Sequence, residues 1–369
     1  MSIAAGLVGL PNVGKSTLFN ALTKSQVPAE NYPFCTINPH TACTVVPDDR
    51  LEKLQAIYKS QRIIASTVDF VDIAGLVKGA ASGEGLGNQF LSHIRAVDLI
   101  LHVVRCFEDP LVTNTEADVN PLVDFDIIST ELMLKDLDSV NKRKLKVAHL
   151  LKSVKNNPAE LKKLTREAEI LTEIEHALDA YDRKKVTELA QERATEADLL
   201  SAKKFLIIAN LSETDISNNN YQNNKHYQAL IQKFGQDTVV PVSAKIEYEL
   251  AQLSDEDAQD MANMLEIPER GLDRVIHKTY EKLGLITFFT CGPQEIHAWP
   301  IKAGTTIRKA AGEIHSDLEK GFICADVFNA QDLLQLGSEA KIKDSGRMRI
   351  EGQDYIVRDG DIVNIKFNV

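Results

Sequence analysis

Short apolar runs recur along the first two thirds of the chain. They cover residues 3–10, 67–72, 97–104, 204–209 and 239–242. Runs of this length are typical of strands, and the near-continuous apolar character of 97–104 is typical of a parallel strand covered on both faces. The pattern therefore predicts an α/β domain built on a parallel sheet.

Between residues 128 and 200 the apolar positions follow a heptad spacing instead. One series is Met133, Leu137, Val140, Val147, Leu151 and Val154, with Lys144 as its polar member; the second is Leu164, Leu171, Ile174, Leu178 and Tyr181, with Glu167 as its polar member. Between them, Asn157 can cap a helix that begins at Pro158. Two such helices joined by a tight turn predict an antiparallel helical hairpin of coiled-coil type.

The last 85 or so residues have a third pattern. After a predicted helix at 268–283, short β-type runs at 286–290, 295–300, 354–358 and 361–367 surround a helical segment at 306–320. Strands around one helix predict a small, ubiquitin-like α+β domain. We expect three domains: 1–127 together with 201–283, the hairpin insertion 128–200, and 284–369.

The loop after the first apolar run carries the strongest chemical signal. Gly9-Leu10-Pro11-Asn12-Val13-Gly14-Lys15-Ser16 fits the P-loop pattern G-x-x-x-x-G-K-[ST] at every position, between a strand and a helix. Glycines let backbone N–H groups turn toward a phosphate, and the helix N-terminus adds partial positive charge. Lys15 can then reach the β- and γ-phosphates while the Ser16 hydroxyl holds Mg²⁺. A chance glycine-rich turn is the alternative, and the flanking elements disfavour it.

Two further segments are candidates for nucleotide-dependent switches. Thr36 follows Ser16 by twenty residues, the distance at which such switches place a second Mg²⁺ ligand. Asp72 ends an apolar run and precedes Gly75, which suits an indirect Mg²⁺ ligand followed by an N–H that faces the γ-phosphate; a simple strand-end turn is the alternative. Residues 75–87 hold five glycines and form the predicted second switch. Leu76 stands where Ras-like GTPases have the glutamine that orients water.

The segment after the run 204–209 predicts base selectivity. Ras-like GTPases have N-K-x-D here, and the chain has Asn210-Leu211-Ser212-Glu213. The aspartate of that motif accepts hydrogen bonds from guanine N1–H and the 2-amino group, and adenine has neither donor. Loss of the guanine reader predicts that ATP is bound in preference to GTP. Ser243 and Ala244, after the run 239–242, close the predicted base pocket.

Composition and charge limit the kinds of partner that we expect for this protein. The 369-residue chain is 44% hydrophobic and 26% charged with a net charge of −11, which argues against a general nucleic-acid or membrane coat. No apolar run is long enough to span a bilayer, and the N-terminus lacks a signal-peptide pattern, so we expect a cytoplasmic protein. The five cysteines form no C-x-x-C pair, which predicts free thiols.

One segment departs from the acidic balance. Residues 142–166, at the tip of the predicted hairpin, hold nine Lys or Arg against the single acidic residue Glu160. A solvated helix face is one interpretation of this segment. The other is a docking surface for RNA phosphates.

These motifs together resemble the Obg-like ATPase (YchF) subfamily of translation-factor-class P-loop GTPases. The resemblance rests on G-L-P-N-V-G-K-S-T, N-Y-P-F-C-T, D-I-A-G-L-V-K-G-A, G-E-G-L-G-N-Q-F, H-V-V-R-C-F-E, N-L-S-E and the ending D-Y-I-V-R-D-G-D-I-V-N. It covers nearly the whole chain. It implies a Ras-like G domain, a helical insertion and a C-terminal TGS domain.

The resemblance also implies roles for matching residues. Phosphate binding is expected from Asn12, Val13, Gly14, Lys15, Ser16 and Thr17, and Mg²⁺ binding from Ser16, Thr36 and Asp72. Base binding is expected from Asn210, Leu211, Glu213, Ser243 and Ala244. The expected catalytic residues are Lys15, Thr36, Asp72 and Gly75. Asn114 departs from the family, whose members often have a histidine there that is proposed to position water. An asparagine at position 12 is found in GTPases that use K⁺, which makes K⁺ a second candidate cofactor beside Mg²⁺.

The implied function is a cytoplasmic, Mg²⁺-dependent ATPase with weaker GTPase activity that associates with the ribosome in its large-subunit region. It would serve as a slow nucleotide-controlled switch in translation or stress response. RNA contact is expected through residues 142–166 and the TGS domain, with no membrane partner. Two alternatives stay open: a switch that prefers GTP, and a non-hydrolysing scaffold that is gated by nucleotide.

Overall fold

The computed structural model of the protein describes residues 3–25, 40–73, 86–109, 118–154, 157–191 and 197–368. Thr36, Gly75, Leu76 and Asn114, and with them most of both predicted switches, lie outside these ranges. The predictions made for those four residues therefore stay predictions.

The described residues form strands and helices with the following bounds. The strands are β1 Ala4–Val8, β2 Thr41–Val45, β3 Arg62–Ile64, β4 Thr67–Asp72, β5 Leu99–Arg105, β6 Lys204–Asn210, β7 Val239–Val242, β8 Leu285–Cys291, β9 Glu295–Lys302, β10 Phe322–Asn329, β11 Arg349–Glu351 and β12 Asp361–Phe367. The helices are α1 Lys15–Lys24, α2 Arg50–Tyr58, α3 Leu86–Ala96, α4 Pro121–Ser153, α5 Pro158–Asp179, α6 Arg183–Gln191, α7 Glu213–Ile216, α8 Lys225–Phe234, α9 Ala244–Leu250, α10 Asp255–Met264, α11 Gly271–Leu283, α12 Ile307–Ile314, α13 Ser316–Lys320, α14 Ala330–Leu336 and α15 Glu339–Asp344. Two 3-10 segments cover Ser217–Asn223 and Gln236–Thr238.

The chain divides into two compact units. The larger unit comprises Ala4–Asn20 and Val71–Pro268, and the smaller unit comprises Met1–Ile3, Ala21–Phe70 and Glu269–Val369. The domain limits were predicted from the sequence pattern and differ from these units; they stay predictions.

The larger unit is built on parallel strands in the order β1-β5-β6-β7. Every residue of β5 is buried, as its continuous apolar pattern predicts. The end of β4 lies beside β1, because the Ile73 N–H donates to the Leu7 carbonyl at 3.2 Å. Since β1, β5, β6 and β7 run in one direction, the loops that follow them meet at one edge of the sheet, where α/β proteins place their ligands.

The helical hairpin is formed by α4 and α5, with α6 packed against it. Asn157 caps α5, whose first residue is Pro158, and Asn120 caps α4 in the same way ahead of Pro121. The heptad residues pack into one cluster that includes Met133, Val140, Val147, Leu164, Leu171, Ile174 and Leu178. Tyr181 is the exception, because it lies beyond the end of α5 with a positive φ and is 57% exposed.

The C-terminal strands form a mixed sheet within the smaller unit, in the order β11-β10-β12-β8-β9-β3. Adjacent residues of β8 face opposite sides of this sheet: Phe288 packs in a cluster with Ile307 of α12, and Phe289 in a cluster with Leu333 of α14. The predicted α+β class is confirmed here.

Some predictions were wrong. Residues 354–358 form no strand; Ile356 makes only an isolated bridge to Thr306, and the segment ends in a turn at Gly360 with φ +81°. The strands β10 and β11, which fill that place in the sheet, were not predicted. Free thiols are found at Cys106, Cys291 and Cys324, but Cys43 is disulfide-bonded. Within the described ranges, every helix is too short or too polar to cross a bilayer.

Candidate nucleotide-binding site

The loop between β1 and α1 has the backbone of a phosphate cradle. Asn12 and Gly14 have positive φ angles, +64° and +93°, which turn the chain sharply before the helix begins at Lys15. A side chain at Gly9 would place its Cβ 2.7 Å from the Val103 carbonyl oxygen, so the loop can pass β5 only as glycine. The Leu18 N–H closes the first helical turn onto the Gly14 carbonyl at 3.0 Å. The N–H groups ahead of that turn have no partner within the helix and are suited to an anion.

Two predicted residues meet directly at this helix N-terminus. The Lys15 ammonium forms an ion pair with the carboxylate of Asp72, the last residue of β4. Lys15 is only 9% exposed, so its charge needs a partner. The next residue, Ser16, is exposed, and its hydroxyl makes no hydrogen bond to a described group. The structure therefore brings Lys15 and Asp72 into direct contact, with Ser16 next to Lys15 at the start of α1.

Asn210 ties three loops together. Its side-chain N–H donates to the Val13 carbonyl at 2.8 Å, and its side-chain oxygen accepts from the Ala244 N–H at 2.9 Å. A Cβ at Gly14 would lie 2.1 Å from the Asn210 Nδ2 atom, which leaves room for hydrogen alone. Asn210 is 4% exposed. The sequence assigned this residue to the base; the structure shows in addition that it fixes the phosphate loop to the loop after β7.

The remaining base-pocket residues differ in accessibility. Leu211 is buried in a cluster with Val104, Phe125 and Tyr227, so its side chain faces the core. Ser243, which begins the loop after β7, is also buried. Glu213 is half exposed and lies at the first position of α7.

One ion pair in this pocket was not predicted from the sequence. The Lys245 Nζ atom donates to the Glu213 Oε2 atom at 2.8 Å. This bond raises the pKa of Lys245, with a further contribution from the nearby charges of Glu249 and Asp109. Lys245 is the third residue of the motif Ser243-Ala244-Lys245, so the sequence shows its position. Its pairing with Glu213 joins two loops and cannot be predicted from either motif alone.

The available donors fit a small, hard cation. Ser16 offers a hydroxyl and Asp72 a carboxylate, and oxygen ligands of this kind suit Mg²⁺. Among the described residues, no three His, Cys, Asp or Glu side chains gather into a metal cluster. His102 is buried on β5 and stacks on Phe125 with ring centroids 4.9 Å apart. Burial, with a smaller effect from Arg183, lowers the pKa of His102 to about 3.

Comparisons with known proteins agree with this geometry. A family model described as a 50S ribosome-binding GTPase matches residues 4–143, and a YchF GTPase C-terminal model, described as a protein of unknown function (DUF933), matches residues 285–368. The Bacillus subtilis protein named ribosome-binding ATPase YchF is 43% identical over 377 residues, with 100% of both chains covered. This chain belongs to the YchF family.

Two further members of the YchF family are similar over almost their whole length. Obg-like ATPase 1 of Oryza sativa subsp. japonica is 42% identical, with 99% of this chain and 92% of the relative covered. The structure of the Schizosaccharomyces pombe YchF GTPase superposes with a TM-score of 0.84 at 35% identity and covers 99% of this chain and 98% of that one. The expected P-loop α/β class is therefore confirmed.

Proposed function

We propose that this protein is a ribosome-associated P-loop NTPase that binds ATP in preference to GTP and hydrolyses it slowly. The observation that carries the proposal is the placement of Lys15 and Ser16 at a helix N-terminus opposite Asp72, in a loop locked by Asn210. The full-length relatives support it, since they are named ribosome-binding ATPases. A role as a switch in translation or stress response follows from the same relationship.

The chain's own groups account for phosphate binding. Backbone N–H groups of residues 12–17 face the phosphates, and Lys15 exchanges Asp72 for the β- and γ-phosphate oxygens when a nucleotide enters. Asp72, freed from Lys15, would then hold Mg²⁺ together with Ser16 and Thr36. When bound, Mg²⁺ neutralises charge on the β- and γ-oxygens. Gly75 would offer its N–H to the γ-phosphate.

Slow turnover follows from the residue types at two positions of the sequence. Leu76 and Asn114 replace the glutamine and histidine that would position water, and a leucine side chain cannot accept a proton or a hydrogen bond. The K⁺ hypothesis for Asn12 stays a prediction, and equal hydrolysis rates in K⁺ and Na⁺ buffers would exclude it.

Nucleotide titration tests the proposal. With Mg²⁺ present we expect the wild-type protein to bind ATP more tightly than GTP, and Lys15→Ala to lose about tenfold to a hundredfold in affinity for both, since a charge-assisted contact contributes about 1.5–3 kcal/mol. GTP binding tighter than ATP would favour the GTP switch. Binding that depends on Lys15 but gives no turnover above background would favour the non-hydrolysing scaffold.

The hairpin tip is the proposed RNA contact. Arg143, Lys144 and Arg166 are ion-paired to Glu167, Glu175 and Glu169. Five other lysines of residues 142–166 are exposed and form no ion pair within the described ranges: Lys142, Lys146, Lys152, Lys162 and Lys163. A surface of unpaired cations in an acidic chain is suited to a polyanion. The family description of a 50S-binding GTPase supports a site on the large subunit.

Two matched pairs of lysines test this contact. Lys162→Glu/Lys163→Glu should weaken binding to ribosomes and reduce the slope of log affinity against log salt by about 1 to 2, because each lost phosphate contact contributes about 0.7–0.9. Lys184→Glu/Lys185→Glu, an adjacent exposed pair on α6, should leave both quantities unchanged. Equal losses in the two variants would indicate a general charge effect and no RNA site at the tip.

The finer assignments are also proposals. We infer a nucleotide-binding domain of 1–127 and 201–283, an insertion of 128–200, and a TGS domain of 284–369 that contacts RNA together with the tip. We also infer that the protein works in the cytoplasm, where ribosomes are found.

A further inference from the structure

We infer that Lys245 determines base specificity by holding the Glu213 carboxylate away from guanine. This inference rests on the proposed ATP preference and names the residue that produces it. The sequence motifs give Lys245 no part in the choice between the two bases.

The two side chains are brought together by neighbouring strands. Asn210, the last residue of β6, pairs in register with Val242, the last residue of β7. Glu213 begins α7 just beyond Asn210, and Lys245 is the second residue of α9 just beyond Val242. The hydrogen bonds that join Asn210 to Ala244 and Val13 hold these loops in place. The contact of 2.8 Å between Lys245 and Glu213 therefore joins two loops whose positions are already fixed.

Guanine and adenine make opposite demands at this position. Guanine presents N1–H and the 2-amino group, both donors, which a free carboxylate accepts. Adenine presents the N1 lone pair and no 2-amino group, so a free carboxylate facing it is repelled. A carboxylate that already accepts from an ammonium group is less available to guanine and less repulsive to adenine. The ion pair therefore lowers affinity for GTP and favours ATP.

The position of Glu213 is further supported from its own side. Ser212 caps α7 by accepting from the Asp215 N–H at 3.1 Å and donates to the Asp215 carboxylate at 2.6 Å. The pKa of Lys245 is raised mainly by Glu213, and Glu249 of α9 and Asp109, which follows β5, add smaller contributions. The side chains of Lys245 and Glu213 are 65% and 45% exposed, so the pair is screened by water and its effect is moderate.

Removal of Lys245 tests the inference by its effect on selectivity. We expect Lys245→Met to raise GTP affinity relative to ATP affinity by about 1.5-fold to fivefold, the range of an exposed charge contact. Lys245→Arg, which keeps the charge and a donor, should retain the wild-type ratio. Inosine triphosphate, which has N1–H but no 2-amino group, should gain less than GTP in the Met variant.

A second variant separates this effect from a general change of charge. In a Glu213→Gln background, Lys245→Met should give no gain for GTP, because the carboxylate that loss of the lysine would release is absent. An unchanged ratio in Lys245→Met, or equal gains for ATP and GTP, would overturn the inference while the ATP preference of the wild type stands. A wild-type protein that prefers GTP would instead overturn the proposed function.

Discussion

The helical hairpin and the nucleotide site use charged side chains in opposite ways. In the hairpin, Glu167 is 1% exposed and accepts two hydrogen bonds from Arg143, at 2.8 and 3.1 Å. In the nucleotide site, the pair of Lys245 and Glu213 is largely exposed, with side chains that are 65% and 45% exposed. Buried pairs are costly to break, whereas exposed pairs exchange readily. The hairpin therefore uses charge to fix its structure, and the site uses charge that a ligand can displace.

The largest expected effect lies in the hairpin. Glu167→Ala leaves Arg143 buried without its carboxylate, and we expect the free energy of unfolding of the larger unit to fall by about 3–5 kcal/mol. Urea denaturation followed by hydrogen exchange in α4 and α5 measures this loss. The double variant Arg143→Met/Glu167→Leu should recover most of it. A loss in the double variant as large as in the single one would contradict a role for the unpaired charge.

Asp136 gives the next effect. Its carboxylate is fully buried and accepts from the Leu200 N–H, the Ser201 N–H and the Ser201 hydroxyl at 2.8, 2.8 and 2.6 Å. Asp136→Ala leaves these donors unsatisfied and should cost about 2–3 kcal/mol in the same denaturation experiment. Asp136→Asn, which keeps one acceptor oxygen, should cost less. Equal costs for the two variants would show that lost packing, not lost hydrogen bonding, is responsible.

The third effect is a dependence of stability on pH, and it comes from His102 on β5. The folded-state pKa of His102, about 3, lies below its ordinary value of 6.5, so below pH 6.5 the unfolded chain binds a proton that the folded chain does not. Stability should therefore fall as the pH falls from 6.5 toward 3, by about 1.4 kcal/mol per pH unit from this residue. His102→Leu should flatten that part of the profile. Parallel profiles for wild type and His102→Leu would contradict the assignment.

The smallest effect belongs to the exposed pair in the nucleotide site. Glu213→Gln should not measurably shift the unfolding midpoint of the nucleotide-free protein, because the contact with Lys245 is screened by water. Its consequence should appear only in selectivity between bases. A clear loss of stability would show that this pair stabilises the fold, as the charged pairs of the hairpin do. It would then contradict the contrast between the two regions.

Local signals in the sequence predicted local structure well. The P-loop between β1 and α1, the cap at Asn157 and the heptad faces of α4 and α5 each depend on residues within a few turns of one another. The pairings that failed are non-local. Residues 354–358 read as a strand, yet the sheet position beside β12 is occupied by β10. The contacts of Asn210 with Val13 and of Glu213 with Lys245 join separate loops, so neither motif contains the information that pairs them.

The continuity of α4 has a mechanical consequence. Phe125, near its start, packs with the sheet cluster, while Met133, Val140 and Val147 pack in the hairpin cluster. The helix has 33 residues, so it is about 50 Å long and spans the distance from the sheet to the tip without a joint. A tilt of about 5° at the sheet end would displace Ser153 by about 4 Å, because a rigid helix amplifies rotation in proportion to its length. The hairpin is thus a long rigid arm, in which a small rotation at the sheet end becomes a larger displacement at the tip.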